Sequence, residues 1–239
     1  MNVFLMSLNL TLNASTLDVV APVLSFFLWQ AFGYVVDYSR LSKISLTGAV
    51  NGQRLAWMRR MVDRENRIVD GTLLANVMRS VAFFASATVL ILGGVAAMAS
   101  AVDHTYATIE GIPFVSTVSK DLFEAKLLLL GLIFIYSFFK FTWSLRQFTY
   151  CTILLGAAPR PDAADEEKAS FAAGAARISQ LGARSFNQGL RGYYFALASL
   201  GWFIHPLAFV LATLAVVAVL WRREFHSRTR RALYRMEKM

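Results

Sequence analysis

Cysteine, proline, histidine and charge are all scarce in this chain. Cys151 is the one cysteine among 239 residues, so no internal disulfide can form and no CxxC pair exists to hold a metal or haem. Only three histidines occur, His104, His205 and His226, far apart and in unlike surroundings. GxSxG, HExxH and P-loop patterns are missing, which removes the usual local signatures of hydrolases, zinc peptidases and nucleotide-binding enzymes. No catalytic, cofactor-binding or metal site is therefore expected, and we read the chain as a non-enzyme. Charged residues make up 16% of the sequence, against about 25% in a soluble domain. The first seventeen residues hold no Lys or Arg, so they lack the basic region of a signal peptide. Residues 3–12 are expected to form an interfacial or periplasmic segment.

Apolar side chains are abundant, at 56%, and they lie in blocks. A membrane span needs roughly 20 mostly apolar residues. Four blocks qualify: Val19 to Val36, Val81 to Val102, Leu127 to Phe139 with polar extensions, and Tyr193 to Trp221. The expected fold is an all-α polytopic membrane helical bundle, one membrane domain over residues 1–239. Its hydrophobic segments cover about 18–37, 79–102, 122–155 and 192–221, with loops 38–78 and 156–191 and a basic tail 222–239.

The net charge of +9 does not indicate nucleic acid. The basic residues flank apolar blocks, as topology signals do, and no nucleic-acid module is visible. The lipid bilayer and its anionic headgroups are the expected partners. Arg40, Lys43, Arg54, Arg59, Arg60, Arg64, Arg67 and Arg79 lie between the first two blocks. Between the second and third, Lys120 stands against Asp103, Glu110 and Asp121. After the third come Lys140, Arg146, Arg160, Lys168, Arg177, Arg184 and Arg191. The positive-inside rule then places the N-terminus outside and both long loops inside, in a bacterial inner membrane.

Four simple crossings would export the tail WRREFHSRTRRALYRMEKM, the densest basic stretch in the chain. A continuous helix over the last block would be about 43 Å long, more than the hydrocarbon thickness, and Pro206 breaks it. Two arrangements fit. The segment is a hairpin broken at His205-Pro206, which returns the tail to the cytoplasm, or it is one long tilted or kinked span.

Within the first loop, QRLAWMRRMVDRENRIVD has helical composition. Leu55, Met58, Met61 and Val62 fall near one face, so an amphipathic helix on the cytoplasmic surface is expected. PRPDAADEEK, residues 159–168, reads as a polar and partly mobile linker.

On the third segment, Lys140, Ser144, Gln147 and Cys151 recur at i, i+4, i+7 and i+11, one polar stripe. Arg146 and Tyr150 make an i, i+4 pair beside it. One reading is a lining for a pathway, or a site for an anionic headgroup, with His205 as a further polar group in the membrane. The other is a helix leaving the bilayer, its lysine snorkelling and its polar face meeting the first loop. Asn76 and Arg79 enter the second span together. Asp70 or Asp63 is expected to pair with Arg146 or Arg79 and lock the loop helix to the bundle. Lys126 and Glu124 read as interfacial anchors, and His205 as the residue at a helix break. Gly93, Ala97 and Ala101 suggest close packing inside the bundle.

Three stretches, RLAWMRRMVDRENRIVDGTLLANVMRSVAFFAS, KFTWSLRQFTYCTILLGAAP and NQGLRGYYFALASLGWFIHP, resemble a family of bacterial and plant membrane proteins known only as domain of unknown function 599. The resemblance implies a helical membrane protein with about four spans and carries no activity or ligand. Its characteristic polar positions correspond here to Asn66, Arg67, Asp70, Arg146, Gln147, Asn187 and Arg191. With Asn76 and Arg79, the loop and fourth-segment residues form a candidate structural polar network. Two functions are carried forward: an oligomeric transporter or channel for a small solute or ion, and a structural or accessory subunit of a larger membrane complex.

Overall fold

The computed structural model describes residues 16–104 and 119–237. The segment at 3–12 and most of the loop between the second and third spans lie outside the described residues. The described residues are helical, without strands. In chain order they form α1 (Thr16–Asp37), a 3-10 turn (Arg40–Ile44), α2 (Leu46–Val62), α3 (Ile68–Ser100), α4 (Lys120–Gly156), α5 (Asp165–Ser199), the short α6 (Gly201–Ile204), α7 (Pro206–His226) and α8 (Arg228–Glu237).

Four stretches are long and apolar enough to cross a membrane: α1, α3, α4 and Pro206–Met236, which begins with α7. Their outward faces carry Phe27, Leu90 and Leu211, each about two-thirds exposed or more. Faces of that kind suit hydrocarbon, and helices satisfy their own backbone groups there. The chain is thus an all-α bundle that reads as membrane-spanning.

The last segment is a hairpin. His205 is extended (φ −162°, ψ 142°), and Pro206 opens α7, a position where its missing N–H costs nothing. The His205 imidazole Nδ1 accepts from the Leu207 N–H at 3.1 Å and caps α7. The two arms run antiparallel. Trp202 stacks on Phe209 at 5.8 Å, and further along Tyr194 Oη accepts from Arg223 Nη1 at 3.1 Å. A Cβ on Gly201 would lie 3.1 Å from the Ala208 backbone, so glycine permits the close approach of the arms.

The tail therefore returns to the end that holds the first loop. Thr47 N donates to Glu224 Oε1 at 2.8 Å, and Tyr234 Oη to the Lys43 carbonyl at 2.7 Å. We call this the basic end. The single kinked span is excluded.

The expected loop 156–191 is a different matter. Most of it is helix: α5 starts at Asp165 and runs 35 residues, antiparallel to α4. Its inward positions are small: Ala172, Ala175, Ala176, Ser179, Gly182, Ala183, Gly189 and Gly192 are all buried. Such residues contribute little hydropathy, which is why the stretch reads as a loop, but they let two helix backbones approach. A Cβ on Gly189 would sit 2.6 Å from Phe141 Cε1. The 37 residues of α4 span about 55 Å, so its second half projects past a bilayer core of about 30 Å.

Beyond the apolar layer, the halves of α3, α4 and α5 nearest the basic end pack with α2. Met58, Met61 and Val62 of α2 bury against Ala172, Ala175 and Ala176. The expected apolar face of the loop helix is the buried one, and it faces protein. Gly93 and Ala97 lie on the exposed side of α3, and a Cβ on Gly93 would meet nothing within 4 Å. Close packing inside the bundle uses the glycines of α5 instead.

Candidate functional site

The polar stripe of α4 faces α5. Ser144 Oγ donates to the Gly182 carbonyl at 2.7 Å, Gln147 Nε2 to Ser185 Oγ at 3.1 Å, and Cys151 is buried in the adjoining core. These residues join α4 to α5 in a helix–helix seam. Lys140 sits at its margin, 5.3 Å from the Tyr136 ring centroid. Arg146 and Tyr150 are exposed, and Arg146 Nε donates to Tyr150 Oη at 2.7 Å. A shallow surface groove of about 460 Å³ touches Lys140, Trp143, Gln147, Tyr150 and Arg184. His205 is at the far end of the bundle, remote from this stripe, and serves as a helix cap.

The other polar positions separate into two groups. Asp70 is fully buried and its Oδ1 accepts from Trp57 Nε1 at 2.6 Å and Arg64 Nη1 at 2.5 Å. Asn66 Oδ1 accepts from the Ile68 N–H at 3.0 Å. Arg67 donates to the carbonyls of Ala158 (3.1 Å) and Pro159 (2.6 Å), clamping the α4–α5 connection. Asp63 pairs with Lys168 at 3.1 Å. The loop helix is thus locked to the bundle by Asp63 and Asp70, with Lys168 and Arg64 as partners in place of Arg146 and Arg79. Asn76 and Arg79 lie on the exposed side of α3, because their positions on the helix face away from α4. Asn187 and Arg191 belong to a second cluster, on α5.

That second cluster includes polar contacts along α1. Asp37 Oδ2 accepts from Arg191 Nη2 and from Gln188 Nε2 at 3.0 Å. Midway along α1, Ser25 and Thr213 hydroxyls meet at 2.9 Å. At the far end Asp18 Oδ1 accepts from Trp202 Nε1 at 2.9 Å and lies 3.9 Å from Lys126 Nζ. Lys126 also donates to the Trp202 carbonyl at 2.8 Å and is buried. It is a core residue, not an interfacial anchor. Both charge pairs are deeply buried, where removing one partner alone costs about 3–5 kcal/mol. In the sequence Asp18, Asp37 and Lys126 look like charges at block ends, and no spacing rule joins residues so far apart.

Beside the Asp37–Arg191 pair lies a pocket of about 210 Å³ between α1, α2, α5 and α7. Arg54, Asn187, Arg191, Tyr194, Arg223 and Glu224 form its polar wall, and Phe32, Val50 and Leu220 contribute an apolar one. Arg54 Nη1 donates to the neutral Asn51 Oδ1 at 2.8 Å. Burial holds the Arg54 guanidinium below its ordinary pKa, because desolvation penalises the charged form. Among the described residues no group of three or more His, Cys, Asp or Glu side chains is placed to hold a metal ion.

Comparison with curated proteins and with solved structures gives no match. The family described as protein of unknown function, DUF599, has a model that matches residues 20–229. This covers the helical bundle from α1 into α8, and the chain belongs to that family.

Proposed function

We propose that the protein is a non-catalytic accessory subunit of a membrane complex, an inner-membrane platform that holds a helical layer on the cytoplasmic side. The observation that carries this reading is the hydrogen-bonded α4–α5 seam. Ser144 and Gln147 are bonded to α5, which supports a packing role for these two members of the stripe. The same two helices continue past the apolar layer and carry α2 on their side. Long continuous helices transmit position rigidly from membrane to cytoplasm. In this reading the basic end is cytoplasmic, the N-terminus is outside, and anionic headgroups surround the arginines at the interface. The partner is another membrane protein or further copies of this chain.

Extraction from native membranes in a mild detergent, followed by size-exclusion and mass analysis, tests the proposal. Stoichiometric co-elution with another protein or as a defined oligomer is expected. A lone monodisperse protomer under those conditions overturns it.

A second reading, transport of a small solute or ion, has its own support. The ion pairs of α1 lie at opposite ends of one helix, Asp18 with Lys126 and Asp37 with Arg191. Such an arrangement suits two gates that open in turn. Solute flux into proteoliposomes that collapses in both Asp18→Asn and Asp37→Asn would favour this reading over the platform.

A further inference from the structure

The pocket at the basic end is lined by three arginines, Arg54, Arg191 and Arg223, against one carboxylate, Glu224. Arg54 is half-buried, and its hydrogen-bond partner is the neutral side chain of Asn51. Among the described residues, neither Arg54 nor Arg223 takes part in an ion pair. Of the carboxylates around it, Asp37 is paired with a guanidinium, and Glu224 keeps its charge but forms no ion pair with either Arg54 or Arg223. Asp37 holds Arg191 and Gln188, and Glu224 accepts from the Thr47 N–H at the start of α2. With Arg191 answered by Asp37, the lining of the pocket keeps a net positive charge. A charge removed from water is costly unless something opposite pairs with it.

The shape of the wall narrows what that partner is. Arginine presents parallel N–H donors that match the oxygens of a phosphate group. Asn187 and Tyr194 add neutral polar groups, and Phe32, Val50 and Leu220 supply an apolar side. The pocket also lies where α1 and α7 end and α2 begins, at the border of the apolar layer.

We propose that this pocket is a binding site for a phosphate group, held by the guanidinium of Arg54 with Arg223 as the second cation and Asn187 as a neutral donor. The group belongs to a phospholipid whose glycerol end rests on Phe32 and Leu220, or to a soluble phosphate compound. The proposal is independent of the platform reading, because a site of this kind serves an accessory subunit and a transporter alike.

The test uses the full chain, delipidated in a neutral detergent. Thermal unfolding and native mass spectrometry are recorded with short-chain phosphatidylglycerol, with short-chain diacylglycerol, which lacks the phosphate, and with inorganic phosphate. A stabilising, stoichiometric adduct with phosphatidylglycerol that Arg54→Gln weakens about 10- to 100-fold supports the site with a lipid as its source. The same pattern with inorganic phosphate supports it with a soluble source. Arg223→Gln gives a second, smaller loss and serves if Arg54→Gln does not fold. Arg59→Gln, an exposed change on the same helix, leaves binding unaltered. Absence of any saturable adduct, an adduct equally strong with diacylglycerol, or one indifferent to both Arg54→Gln and Arg223→Gln overturns the proposal. The platform reading fails by a different result, a lone protomer, so the two outcomes are distinguishable.

Discussion

Substituting Gly189 by alanine adds one methyl group to the middle of α5 and presses it into the Phe141 ring. The added Cβ would lie 2.6, 2.8 and 2.9 Å from three atoms of that ring. Phe141 has no room to yield, because it is fully buried. Its ring contacts Phe84 at 5.6 Å and both Phe186 and Tyr193 at 5.7 Å between centroids. Overpacking of a rigid core costs about 1–3 kcal/mol, and the upper end applies here. Replacing a helical glycine by alanine returns about 1 kcal/mol. The net expectation is a loss of about 2 kcal/mol, or roughly 4–8 °C in Tm for a chain of this size. Gly174 provides the control on the same helix. It is exposed, and a Cβ there meets nothing within 4 Å, so Gly174→Ala should gain up to about 1 kcal/mol. Scanning fluorimetry of both variants in detergent measures the contrast. Phe141→Leu combined with Gly189→Ala should recover part of the loss. Equal shifts in the two glycine variants, or a Gly189→Ala protein as stable as the parent, would refute the close-packed α4–α5 seam.

Other substitutions probe the buried charges and the cytoplasm-facing layer proposed above. Arg191→Gln should destabilise by about 3–5 kcal/mol because Asp37 stays buried without its counter-charge, and Asp37→Asn in the same chain should restore much of it; chemical unfolding of the single and double variants reads this directly. Lys126→Met should likewise lower Tm, with Asp18→Asn as the partial rescue. Hydrogen bonds to Asp165 first, and then to Asp63, hold the Lys168 pKa above its ordinary value. This link is intact below the ordinary lysine pKa and is lost as pH rises through the raised one. Lys168→Met should therefore abolish an alkaline step in a titration of Tm against pH.

Hydropathy alone locates α1, the C-terminal half of α3, the helix of α4 and the apolar arm α7, since each must shed water over a bilayer's thickness. The break at His205-Pro206 is equally legible, because proline has few places in a helix. What hydropathy hides is α5. A helix that packs through Ala172, Gly182 and Gly189 buries backbone more than side chain, so its sequence looks like a polar connection. The α4 stripe shows the same difficulty from the other side. The spacing of Ser144, Gln147 and Cys151 correctly marks one face, but a face aimed at a pore and a face aimed at a glycine-lined helix have the same period. Pairings such as Asp18 with Lys126, or Asp37 with Arg191, depend on three-dimensional adjacency and leave no local pattern. The pocket around Arg54 is assembled from four helices and is visible only once they are in place.

The whole topology turns on His205, where the chain reverses and returns its tail to the end that holds the first loop. Cysteine accessibility in cells tests it most directly, because the native Cys151 is buried and gives little background. Single changes Glu65→Cys in the first loop, Ile204→Cys at the turn and Met236→Cys in the tail are treated with a membrane-impermeant maleimide before and after permeabilisation. Glu65→Cys and Met236→Cys are expected to be labelled only after permeabilisation, whereas Ile204→Cys is labelled in intact cells. Labelling of Met236→Cys together with Ile204→Cys, on the side opposite Glu65→Cys, would contradict it.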